Sequence, residues 1–154
     1  MSNKINAEVL HIKLNTAISL YRWLATVPLK GQLSRRRTEF IKIIDNAVRY
    51  LDEKRNGLLE EFANKDKDLN PRKLADKDGN IRYDLSPDSE VKFRKALEEL
   101  LSLNYDIDIT KDNKDTIEDI ANFLNDTDIE FSGQLANDYY EWCQVFDNER
   151  QISK

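Results

Sequence analysis

Leu10, Ile12 and Leu14 alternate with His11 and Lys13, the period-two pattern of a strand with one buried face. Asn15 or Thr16 is then placed to cap a short helix. The apolar residues Ala17, Ile18, Leu20, Tyr21, Leu24 and Val27 follow helical spacing until Pro28 and Gly31 interrupt it. From Ser34, a candidate N-cap, to about Asn64 the spacing predicts one long helix. Phe40, Ile44, Ala47, Val48, Leu51, Leu58 and Phe62 form its stripe, which Ile41, Ile43 and Leu59 widen.

Residues 65–85 lose this period and contain Asn70-Pro71 and Asp78-Gly79, two turn signals. The Asp-Gly pair predicts a small hairpin with Ile81, Tyr83 and Leu85 on one side of its second strand. Ser86-Pro87-Asp88 supplies a cap, a first-turn proline and a first-turn acid for the next helix, whose buried side is Phe93, Ala96, Leu97, Leu100 and Leu101. Tyr105, Ile107 and Ile109 predict another short strand, and Ile117, Ile120, Ala121 and Leu124 a helix over about 115–124. Ile129 and Phe131, either side of Glu130, predict a last strand. Leu135, Tyr139, Trp142, Cys143 and Phe146 mark the apolar side of a final helix. The fold class read from this pattern is α+β: a mainly helical single domain with one long central helix and a small sheet of short strands. No internal repeat is apparent, so repeat architectures are not favoured.

Length and composition agree with that picture. The 154 residues suit one domain with one core, here taken as 11–148 between an N-terminal extension, 1–10, and a C-terminal tail, 149–154. With 34% charged residues, four glycines and three prolines, the chain reads as helix-rich and well solvated. One cysteine cannot form an internal disulfide, so nothing calls for an oxidising compartment. Met1–Ala7 is polar, and no apolar run approaches the ~20 residues that span a bilayer. The expectation is a cytoplasmic protein without membrane contact.

Charge adds an asymmetry. Residues 1–105 hold 20 basic and 16 acidic residues, whereas Asp106–Glu149 holds 13 acidic residues against Lys111 and Lys114. A basic run, Lys30 with Arg35, Arg36 and Arg37, stands where the long helix is expected to begin. Cations at a helix start cost about 0.3–1 kcal/mol each at exposed sites, so helix stability alone does not account for them. They are a candidate contact for an anionic partner, since arginine grips carboxylate and phosphate with two hydrogen bonds. Pairing with the acidic third of the same molecule, or simple solvation, is the reading preferred here, because one short basic run on a chain of net charge −5 is a weak nucleic-acid signature. Asp112, Asp115, Glu118 and Asp119 are the candidate interaction residues in the acidic third.

Candidate chemistry is sparse. His11 falls on the polar side of its strand, and without a second His or Cys it begins no ordinary transition-metal site. Cys143 lies in an apolar stripe beside acidic neighbours and reads as a buried, inert thiol. Asp66-Lys67-Asp68-Leu69-Asn70 superficially suggests a calcium loop but has Pro71 where the turning glycine belongs and Lys77 at its twelfth position. Asp106-Ile107-Asp108 fails likewise, with Lys111 and Ile117 at those positions. No phosphate-binding or dinucleotide motif is present. The expectation is no enzyme, no catalytic residue, no cofactor and no metal.

His11-Ile-Lys-Leu-Asn-Thr-Ala-Ile, Leu29 to Arg37 with Phe40-Ile41-Lys42, Leu59-Glu60-Glu61-Phe62-Ala63-Asn64-Lys65-Asp66, and Phe131-Ser132-Gly133-Gln134-Leu135-Ala136 with Tyr139 carry a resemblance. The chain from His11 onward resembles an uncharacterised family of small proteins of tailed phages and prophages of Gram-positive bacteria, often encoded near tail, baseplate and holin genes. The resemblance implies a phage origin and brings no catalytic residues. It implies a non-enzymatic accessory or interaction protein in the bacterial host cytoplasm, or associated with the virion, whose protein partner is a phage structural or assembly protein. An alternative is a host-directed inhibitor whose acidic third occupies a defence protein. Nucleic-acid binding through Arg35–Arg37 ranks third. The oligomeric state stays open.

Overall fold

A computed structural model describes the backbone of residues 4–152 and the side chains of residues 4–148. In chain order its elements are β1 (Val9–Lys13), α1 (Leu14–Leu24), α2 (Gly31–Phe62), β2 (Lys73–Ala75), β3 (Ile81–Tyr83), α3 (Pro87–Leu101), β4 (Asn104–Asp108), α4 (Lys114–Asp126) and α5 (Gly133–Ile152). The fold is α+β and mainly helical, with one long helix, α2. The strands form two separate antiparallel pairs, β1 with β4 and β2 with β3.

Over the span read as one domain, the chain forms two compact units: Met1–Val48 with Asn104–Lys154, and Arg49–Leu103. Of the expected extension 1–10, residues 1–3 lie outside the described residues, Ile5 is fully buried, and Val9 and Leu10 belong to β1. Of the expected tail 149–154, residues 149–152 continue α5, while their side chains and residues 153–154 lie outside the described residues.

In the first unit, β1 and β4 pair so that Leu10 faces Ile107, and His11 faces Asp106. Leu10, Ile12 and Ile107 are buried, as alternation requires. Leu14 is not the strand's last inward residue but the first of α1. The start of α1 follows Lys13, with no side-chain cap; Asn15 and Thr16 lie inside the helix rather than at its cap. Leu20 and Leu24 from α1, Phe40 and Ile44 from α2, Ile117 and Ile120 from α4, and Trp142 and Phe146 from α5 are all nearly or fully buried and make the core.

The arginine-bearing helix begins one turn earlier than the sequence reading placed it. Gly31 opens α2 with φ +59°, a left-handed conformation that glycine adopts without the Cβ clash other residues meet. Ser34 is therefore inside the helix, not its N-cap, and accepts a hydrogen bond on Oγ from Arg37 Nη2 at 3.1 Å. Arg35–Arg37 consequently sit in the second turn, beyond the reach of most of the terminal dipole, so the expected conflict with the helix start does not arise.

The second unit holds the rest of α2, the β2–β3 hairpin and α3. Ser86 caps α3, its Oγ accepting from Ser89 N–H at 3.2 Å, with Pro87 in the first turn as expected. The segment between α2 and α3 shows a duplication missed in the sequence: Asp66-Lys67-Asp68-Leu69-Asn70, before β2, and Asp76-Lys77-Asp78-Gly79-Asn80, between β2 and β3, fold alike. Asp66 Oδ1 accepts from the N–H groups of Asp68 and Asn70 at 2.9 and 3.0 Å, and Asp76 Oδ1 from those of Asp78 and Asn80, both at 2.9 Å. These are Asx turns, in which the aspartate oxygen takes the place of a backbone acceptor.

Three further expectations differ from the first unit as it folds. Residues 127–132 form no strand. Phe131, half-buried, is instead drawn into an aromatic cluster, stacked on Tyr139 at 4.2 Å between centroids, so covering it needs no ladder. Leu135 is 38% exposed rather than on the buried side of α5, and Cys143 is half-buried rather than fully buried.

Candidate interaction surface

α4 presents its apolar residues at Ile117, Ile120, Ala121 and Leu124, all buried. That spacing turns Asp115, Asp119, Asn122 and Asp126, themselves four, three and four residues apart, onto the opposite side. Asp119, Asn122, Phe123 and Asp126, with Leu33 and Thr127, line a shallow groove of about 420 Å³. Leu33 and Phe123 make its apolar floor. The Phe123 ring lies nearly parallel to Trp23 at 5.9 Å between centroids, and Trp23 packs on Trp142 at 5.0 Å, so an aromatic stack holds the floor in place.

A polar network fastens α4 to the start of α2 beside this groove. Arg36 donates from Nε to Asp119 Oδ2 at 2.8 Å and from Nη1 to Glu39 Oε2 at 3.1 Å. Thr116, only 4% exposed, donates its hydroxyl to the same Glu39 oxygen at 2.7 Å. The Thr116 hydrogen bond, followed by that from Arg36, holds the Glu39 carboxyl below the usual glutamate range. Arg36 is correspondingly raised, chiefly by Glu39 and further by Asp119 against the opposing cost of its desolvation.

The basic run is thus divided. Consecutive helix residues point about 100° apart and cannot share a face. Arg36 is engaged as described. Arg37 donates from Nη1 to the Val27 carbonyl, tying the loop before α2 to the helix. Lys30 and Arg35 are exposed. The pairing of the basic run with the acidic third holds for Arg36 and Asp119. Of the acidic candidates, Glu118 accepts on Oε1 from Ile5 N–H at 3.0 Å, so it and Asp119 serve the fold, while Asp112 and Asp115 are exposed. Leu33, Asn122, Phe123 and Asp126 were missed, although a helical projection of 115–126 shows the acidic stripe.

The remaining titratable candidates have structural partners. His11 Nδ1 and Asp106 Oδ1 lie 2.6 Å apart as cross-strand neighbours on the exposed face of the β1–β4 pair. Tyr139 donates its hydroxyl to the Leu124 carbonyl, and burial, reinforced by Cys143, pushes the phenol up to about 12. Cys143 Sγ lies 4.0 Å from the same carbonyl. Among the described residues no group of three or more His, Cys, Asp or Glu side chains is placed to hold a metal ion, and no helix is long and apolar enough to cross a membrane. What the α4 surface offers chemically is a row of carboxylates beside an apolar floor, a combination that suits a cationic side chain with an apolar stem. Compared with family models, curated proteins and solved structures, the chain matches none.

Proposed function

We propose that this chain is a non-enzymatic phage accessory protein that holds a protein partner along the outer side of α4. The observation that carries this reading is the pair of exposed carboxylates Asp115 and Asp126 on the side of α4 that bears the groove floored by Leu33 and Phe123, while Asp119 between them is held by Arg36. Carboxylates steer a basic surface into contact, and the apolar floor adds short-range burial. The partner is then a basic patch on a phage structural or assembly protein, in keeping with the phage-family resemblance and with a role in tail or baseplate production. Occupation of Arg36 and Arg37 within the fold argues against nucleic-acid binding, since only Lys30 and Arg35 of the run remain exposed for phosphate.

Affinity capture from infected cells, read by mass spectrometry, tests the proposal when the parent is compared with an Asp115→Asn, Asp126→Asn variant. The parent should retain a phage protein with a basic surface, released as salt rises, and the variant should lose it. An unchanged set of captured proteins would sink the reading. The exposure of Asp112 and Asp115 at the start of α4 also favours the second reading, inhibition of a host defence protein. Capture of a host protein with the same salt and charge dependence would select it.

A further inference from the structure

The second unit contains a groove unrelated to the α4 surface. About 490 Å³ in volume, it runs between α2 and the hairpin, lined by Arg55, Asn56 and Leu59 on one side and by Ile81, Arg82 and Tyr83 on the other. These last three are the whole of β3. Leu74 of β2, the cross-strand partner of Arg82, lines the groove as well, so it covers the hairpin face that carries Leu74 and Arg82 and borders all three residues of β3. Among the described residues β3 pairs with β2 alone, which leaves its other edge without a ladder. Ile81 on it is 71% exposed. An edge strand carrying an exposed β-branched residue is a template for pairing with another chain.

Charge then selects the partner. The groove's acids already have cations or amides: Glu90 accepts from Arg94 at 2.9 Å, and Asp84 accepts from the Asn64 side chain at 3.2 Å and lies 3.8 Å from Arg72 Nε. Arg55 is exposed and forms no ion pair among the described residues, and Arg82 stands with it across the groove. Lys73, over the Tyr83 ring at 5.0 Å, adds positive charge beside the same strand. The demand left over is for an anion. We propose that this groove takes an extended acidic peptide segment of a partner protein, added as a strand to the edge of β3. Its carboxylate meets Arg55, and its apolar side chains rest on Leu59 and Ile81. This is main-chain recognition by strand addition, with side-chain pockets giving the preference for acid.

An acetylated and amidated heptapeptide of alternating glutamate and valine tests this in the intact chain, followed by amide chemical shifts. Saturable shifts should concentrate at residues 81–83 and near Arg55. The Arg55→Glu variant should bind at least about tenfold more weakly, with Arg55→Gln in between. The lysine–valine counterpart should not bind. Methylating alternate backbone nitrogens, in the register that faces β3, should abolish binding if strand addition is the mode. Equal binding of the lysine peptide, indifference to N-methylation in both registers, or no saturable binding up to the peptide's solubility limit would each overturn the proposal. Because the α4 stripe lies in the other unit, the Asp115→Asn, Asp126→Asn variant should bind the peptide as the parent does. The two proposals therefore fail separately.

Discussion

Leu69 has φ +66° and is 80% exposed, whereas Gly79, at the same place in the sister turn, has φ +81°. For a residue with a Cβ the left-handed region costs roughly 1–2 kcal/mol, while glycine costs roughly 0.5–1 kcal/mol in chain entropy. Leu69→Gly should therefore stabilise the protein by about 0.5–1 kcal/mol, read from its urea midpoint; a lower midpoint would mean that the leucine side chain has a compensating contact. Tyr139 supplies a pH test at the same scale. Its phenol is raised to about 12 in the folded chain against 10.0 ordinarily, so the folded state favours the neutral form. That contribution is fully present below the ordinary value and is lost as pH rises from about 10 to about 12. Near-ultraviolet titration should show one tyrosine ionising last, and Tyr139→Phe should remove that step. The duplication of the two turns was hard to see in the sequence for the same local reason: leucine stands where a turn reading expects glycine.

Between elements, the contact to test is the one that joins α2 to α4. Thr116→Val keeps the shape of the side chain but removes the hydroxyl that contributes most to lowering Glu39. A carboxyl lowered by folding contributes stability above its unfolded value and gives it up as pH falls through the folded one. The Glu39 midpoint, followed by carboxyl NMR, should move up toward the ordinary range in the variant, and stability should depend less on pH in that acid window. No movement would mean that Arg36 alone sets it. The elements legible in the sequence were those whose pattern and packing agree: β1 and β4 through Leu10, Ile12 and Ile107, α3 through Ser86 and Pro87, and α4 through its four buried residues. Reading failed where tertiary partners decide. Ile129-Glu130-Phe131 alternates like a strand, yet Phe131 is half-buried by stacking on Tyr139. Gly31 reads as a breaker, yet its left-handed backbone starts a helix. The arginines looked like one patch because they are adjacent in sequence, and the helix separates them. The acidic stripe was legible as periodicity, but Phe123 as part of a groove required the placement of Trp23.

At the scale of the molecule, each unit has its own apolar interior, and the first is the richer. Ile44, fully buried there, should not tolerate charge: Ile44→Asp should cost about 3 kcal/mol or more, through an unpaired carboxylate and the lost packing. An unchanged thermal midpoint would remove Ile44 from the core. That first unit is also discontinuous, built from the two ends of the chain around Arg49–Leu103. Its sheet joins Val9–Lys13 to Asn104–Asp108, so His11 waits for a partner 95 residues away. On a ribosome adding about 5–20 residues per second, that interval is roughly 5–20 s. Throughout it, the inward side chains Leu10 and Ile12 exist without the ladder that will cover them. The order of synthesis thus makes the inserted unit the first that can close, and leaves the nascent N-terminal strand as the segment most in need of shelter by a chaperone.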